Sequence, residues 1–156
     1  MDGKFNMFKE TVDERFRGFV SQIDGYLTEK GCKQEIKSQK SGYIVSYVFG
    51  KRTLATFVSR KTGVKLRIYP LHIQEYQSFL DTLPEKVKSE IRKASPCKRL
   101  INPDDCNPKC VTGYTFEMEG EQYRKCRYMA FQITLSEENN PYIMRFLENE
   151  LRVCGG

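Results

Sequence analysis

The thirty residues from Cys97 to Cys126, CKRLINPDDCNPKCVTGYTFEMEGEQYRKC, constrain the fold of this chain more than any other stretch. Four of the six cysteines fall there, among prolines and aspartates, with little apolar side chain before Tyr114. A segment with so little to bury needs a fastening other than a hydrophobic core. One zinc ion bound by Cys97, Cys106, Cys110 and Cys126 would supply it, because four thiolates close a tetrahedral structural shell. In the spacing C-x8-C-x3-C-x15-C only Cys106 and Cys110 form a short-range ligand pair. The cations Lys98, Lys109, Lys125 and Arg127 nearby favour thiolates and offset their charge. Plain thiols, disulfides and a redox-responsive cluster are the competing readings. A closed shell has no open position for water or substrate, so it argues against catalysis at the metal. A shell of three cysteines and a water would instead set Asp104 and Asp105 beside the ion as bases. Cys32 and Cys154 lie far from the cluster.

The remaining sequence reads as alternating periods. Phe5, Phe8, Val12, Phe16, Val20, Ile23 and Leu27 recur in steps of three and four, which predicts one helix of about seven turns ended by Gly31. The period then becomes two at Tyr43 to Phe49, Leu54 to Ser59 and Val64 to Tyr69, with a short strand expected at Lys33 to Lys37. Glycine-containing connectors at Gly50 and Gly63 join these strands into an antiparallel meander. Ile73, Tyr76, Leu80 and Leu83 predict a short amphipathic helix, and Pro84 opens a second one carrying Val87, Ile91 and Ala94. The pair invites comparison with helix-turn-helix readers, but no glycine marks its joint, and covering helices are the simpler reading. A hairpin begins at Tyr114, turns at Glu119 and Gly120, and returns through Tyr123 and Cys126 to Leu135. Asn140 and Pro141 open a last helix with Ile143, Phe146, Leu147 and Leu151 on one side. The fold class expected is α+β, in one domain over residues 1–156: an antiparallel sheet against N- and C-terminal helices, with a zinc-stapled loop and hairpin at 97–126.

Charge separates the candidate functions. The chain carries a net +6, yet residues 32–70 alone carry nine basic groups against one acidic, net +8. Lys51 and Arg52 sit on one connector, Arg60 and Lys61 on the next, and Lys65 and Arg67 on a strand face with Tyr69. Basic and aromatic residues interleaved on strands suit a nucleic acid or another polyanion, and the competing reading is a solvated face with edge lysines. The leading expectation is therefore a non-enzymatic binding module stabilised by zinc. The alternative is a small-molecule receptor or enzyme with an aromatic pocket between sheet and helices, using the single histidine His72 or the glutamates Glu117, Glu119 and Glu121. No phosphate-cradling glycine loop, H-E-x-x-H or G-x-S-x-G is present. No apolar run is long enough to span a bilayer, and MDGKFNMFKE lacks the apolar stretch of a secretory signal, so a cytoplasmic protein without a membrane partner is expected.

The order helix, meander, helices, hairpin, helix, with GKRTLATFVSRKTGVKLRIYP forming the meander, resembles the small α+β domains grouped as YjbR/MmcQ-like proteins. The resemblance implies an α+β fold in a group where many members have no assigned activity. It carries over no functional residue.

Overall fold

A computed structural model describes residues 3–39, 42–60, 63–94, 113–126 and 130–155. Its contacts gather in two units, Met1–Ile68 with Ile133–Met144, and Tyr69–Gln132 with Arg145–Gly156. The α+β class and the antiparallel meander expected from the sequence are both present.

In the first unit, α1 (Gly3–Thr11) and α2 (Glu14–Glu29) replace the single helix expected. The apolar stripe runs through both, so period alone conceals the break. Asp13 makes it: its backbone is extended, and its carboxylate accepts the Arg15 N–H at 3.0 Å as an N-cap. The Arg17 guanidinium donates to the carbonyls of Val12 and Glu10 at 3.0 and 3.1 Å, and so satisfies acceptors freed at the end of α1. Gly31 ends α2 as expected, with φ of 99°; Cys32 N–H reaches Leu27 O at 2.9 Å and Gly31 N–H reaches Thr28 O at 3.1 Å, the Schellman pattern.

The sheet has the order β1 (Lys33–Gln39), β2 (Gly42–Phe49), β3 (Arg52–Arg60), β4 (Gly63–Ile68), β7 (Gln132–Thr134). Its register sets Val45 against Phe57 and Phe57 against Leu66, and Tyr47 against Ala55 and Ala55 against Ile68. All six are fully buried on one face. The helices supply the other half of this core, through Phe8, whose ring lies 5.5 Å from Phe57, and through Val20, Ile23 and Leu27. Each such side chain contributes about 1.5–3 kcal/mol of transfer free energy. Asp24 bridges α2 to the sheet, accepting from the Tyr47 hydroxyl at 2.8 Å and the Gln34 amide at 2.5 Å. Burial first, and the Asp24 carboxylate second, push the Tyr47 phenol well above its ordinary value.

In the second unit, Ile73–Glu75 and Gln77–Thr82 form 3₁₀ turns where an amphipathic α-helix was expected. The apolar residues Ile73, Tyr76, Leu80 and Leu83 are buried as anticipated. What differs is the pitch, and β5 (Tyr114–Met118) explains it. Gln74 donates to Thr115 O at 2.9 Å, Gln77 accepts from Glu117 N–H at 2.9 Å, and Asp81 accepts from Glu119 N–H at 2.7 Å. Thr115 to Glu119 spans about 13.6 Å of strand. An α-helix would rise only about 10.5 Å over the seven steps from Gln74 to Asp81, whereas the two 3₁₀ turns, separated by Tyr76 at φ of −139°, rise more steeply, by about 2 Å per helical residue. The steeper rise keeps the three side chains in step with Thr115 and Glu117 of β5 and with Glu119 at the start of the turn.

β5 pairs with β6 (Glu121–Lys125) through a turn in which Glu119 and Gly120 have φ of 51° and 80°, the left-handed pair a two-residue hairpin requires. Glu119 tolerates this conformation while its carboxylate pairs with Lys88 and Arg92 of α3 (Glu85–Lys93). The return strand stops at Lys125, short of the Leu135 expected; residues 132–134 join the larger sheet as β7 instead. The core here is aromatic. Phe131 lies 5.1 Å from Phe116, 5.3 Å from Phe146 and 5.6 Å from Tyr114. Phe146 belongs to α4 (Asn140–Gly155), the last helix expected from Asn140 and Pro141.

Candidate functional site

Of the six basic residues singled out in the sequence, Lys51 and Arg52 lie at the opposite end of β3 from Arg60. Lys51 is exposed on the β2–β3 turn and Arg52 begins β3, whereas Arg60 ends that strand. The nine residues of β3 separate the two ends by about 26 Å. Lys61 and the Arg60 side chain lie outside the described residues. Lys65 and Arg67 are half-buried on β4, facing Val58 and Thr56 across the ladder. Following the register outward, Thr56 faces Ser46 and Ser46 faces Glu35, so this second face of the sheet also carries Lys33 and Lys37. Both lysines are exposed. The Ser46 and Thr56 hydroxyls share a hydrogen bond of 3.1 Å in the middle of the face. Period-two alternation already located Lys65 and Arg67; Lys33 and Lys37 required the pairing of β1 with β2.

A cleft of about 600 Å³ in the first unit lies where the α1–α2 joint meets the ends of β3, β4 and β7. Val12, Phe16, Val64 and Leu135 give it apolar walls, while Ser59, Thr134, Ser136 and Glu137 bring polar groups. Asp13 and Arg15 form its rim as a two-point ion pair, with Nε to Oδ1 at 3.2 Å and Nη2 to Oδ2 at 3.1 Å. Those hydrogen bonds from Arg15, side chain first and backbone second, hold the Asp13 carboxyl below its ordinary value. The size is that of a small-molecule site, although Phe16 is the one aromatic lining residue and neither His72 nor Glu117, Glu119 or Glu121 contributes.

Of the four proposed zinc ligands, Cys97, Cys106 and Cys110 lie outside the described residues. Cys126 is half-buried immediately after β6. Among the described residues no group of three or more histidine, cysteine, aspartate or glutamate side chains is gathered to hold a metal. The neighbour of Cys126 is informative: the Lys125 ammonium donates to Arg92 O at 2.7 Å and Ala94 O at 2.9 Å, closing the C-terminal end of α3. Burial lowers the affinity of that amine for its proton. This contact holds the end of β6 beside the end of α3, from which three residues of chain lead to Cys97.

His72 takes part in the most deeply buried polar cluster of the second unit. Glu150, with no exposed surface, accepts from the Tyr76 hydroxyl at 2.6 Å and the His72 backbone N–H at 3.2 Å, and pairs with His72 Nδ1 at 2.9 Å. Two donors, the Tyr76 hydroxyl and the His72 backbone N–H, satisfy this buried side chain, and His72 Nδ1 adds a third polar contact. No family model, curated protein or solved structure matches the chain. The arrangement therefore has to be judged by its own chemistry. His72 is oriented by a carboxylate as a general base would be, but none of the residues lining the cleft belongs to this cluster. Glu150 was missed in the sequence although a signal was present: it falls four residues after Phe146 and three after Leu147, on the apolar stripe of the last helix. A carboxylate at such a position marks a buried polar contact.

Proposed function

We propose that the chain is a non-enzymatic binding module for an anionic partner, a nucleic acid or another polyanion. The second face of the sheet is the contact surface, and one zinc ion on Cys97, Cys106, Cys110 and Cys126 fixes the cysteine-rich segment. The reading is carried by the strand register, which gathers Lys33, Lys37, Lys65 and Arg67 on one face with Glu35 as the acidic residue among them. Lysine and arginine neutralise phosphates, and the half-buried Ser46 hydroxyl between them offers a further donor. For the metal, support comes from the Lys125 contact with Ala94, because it starts the chain segments bearing Cys97 and Cys126 from neighbouring points.

The test is fluorescence anisotropy with a single-stranded oligonucleotide over a salt series. Affinity should fall steeply as salt rises, and Lys65→Glu with Arg67→Glu should abolish it and flatten the salt slope. Absent or salt-indifferent binding refutes the anionic partner. Elemental analysis of the reduced protein should find one zinc per chain, and its absence refutes the metal independently. The cleft beside Asp13 favours a second reading, a small-molecule receptor, in which a ligand raises the thermal midpoint without the salt dependence of the first.

A further inference from the structure

The sheet order makes β1 an end strand among the described residues, paired with β2 and with Lys33, Glu35, Lys37 and Ser38 exposed. An end strand aims a row of backbone donors and acceptors away from its sheet. Natural edges are often guarded by lysines alone, which repel a second edge of the same kind. β1 departs from that pattern because Glu35 stands between Lys33 and Lys37 on one face, while Ile36, half-buried, belongs to the other. Alternating signs make a strand complementary to its own reversed copy.

We propose that β1 is the docking surface for a second copy of this chain, pairing antiparallel with its counterpart about a two-fold axis through Ile36. In that register Glu35 of each copy faces Lys37 of the other, which gives two opposite-charge pairs on one face of the joined sheet. Ile36 faces its own copy on the other face and loses its remaining exposure. Gln34 faces Ser38, and Lys33 faces Gln39, so the whole strand is used. The competing registers are poorer. A centre on Glu35 would set Glu35 against Glu35 and, twice by symmetry, Lys33 against Lys37, three like-charge contacts that oppose pairing. A centre on Gln34 would run Lys37 past the start of the strand and set against itself a glutamine already donating to Asp24. Because the contact is the same patch on both copies, it closes as a dimer and joins five strands from each.

One strand pair is a small interface, so the dimer should be reversible and visible only at high protein concentration. Sedimentation equilibrium of the full-length reduced protein, run up to about 300 μM in low salt, should show monomer and dimer in exchange. Glu35→Lys and Lys37→Glu each turn both charge pairs into repulsions and should weaken association by about tenfold or more. The double variant Glu35→Lys/Lys37→Glu restores opposite charges in the same register and should recover the dimer. Both side chains are exposed, so circular dichroism and the thermal midpoint should show each variant folded. A wild type that stays monomeric, single variants that dimerise as well as wild type, or a double variant no better than the singles would each overturn the proposal.

Discussion

In the unit built on the five-stranded sheet, backbone donors meet backbone acceptors along the β1–β2, β2–β3 and β3–β4 ladders, whereas in the hairpin unit the edge of β5 is met by the side chains of Gln74, Gln77 and Asp81. The cores differ in the same sense. Phe57 is enclosed by aliphatic neighbours of matching register and by Phe8 and Tyr47, while Phe131 stands among Tyr114, Phe116 and Phe146. A backbone ladder survives the loss of any one side chain, because no side chain is part of it. A strand edge sealed by side chains does not, since each polar substitution strands a particular backbone group.

The largest expected effects test the two cores. Phe57→Ala and Phe131→Ala should each cost about 3–5 kcal/mol, measured as urea midpoints at unchanged m-value. Phe131→Ala should be the costlier, because it removes three ring pairs where Phe57→Ala removes two, each worth about 0.5–1.5 kcal/mol. The reverse order would remove the distinction drawn between an aromatic and an aliphatic core. Next in size is Glu150. Glu150→Ala removes a buried partner of the Tyr76 hydroxyl and of two His72 groups and should cost about 3 kcal/mol, while Glu150→Gln keeps an acceptor oxygen and should cost about 1 kcal/mol. Equal losses from the two variants would mean that the carboxylate's volume matters and its hydrogen bonds do not.

This contrast also decides what the sequence discloses. Period two and period 3.6 are set by burial on one side of an element, and they located β2, β3, β4, the apolar stripe of α1 and α2, and the last helix. The break at Asp13 stayed hidden because the stripe continues unbroken from Val12 to Phe16 across the cap. The 3₁₀ turns stayed hidden because Ile73, Tyr76, Leu80 and Leu83 fit an α-helix equally well; the deciding partner, β5, lies some forty residues away. At the proposed site, charge counting found Lys65 and Arg67, but summing along the chain also grouped Lys51 and Arg52 with Arg60, at opposite ends of β3. Only the pairing of β1 brought Lys33 and Lys37 to the same face.

The smallest of the three effects bears most directly on the side-chain-sealed edge. Asp81 accepts from the N–H of Glu119, and Gln77 accepts from the N–H of Glu117. Asp81→Ala should therefore cost about 1 kcal/mol, a change that overall unfolding would barely distinguish from ordinary surface substitution. Amide hydrogen exchange gives the sharper reading, because it reports each donor separately. Asp81→Ala should speed exchange at Glu119 and leave Glu117 protected, and Gln77→Ala should do the opposite. In the sheet, Ser46→Ala removes a hydroxyl bonded to Thr56 at 3.1 Å but no ladder bond, so the amides of β2 and β3 should keep their protection. If Asp81→Ala loosened the hairpin evenly, the β5 edge would be held by packing and not by its individual side-chain acceptors, and the 3₁₀ pitch of residues 77–82 would need a cause other than matching the strand.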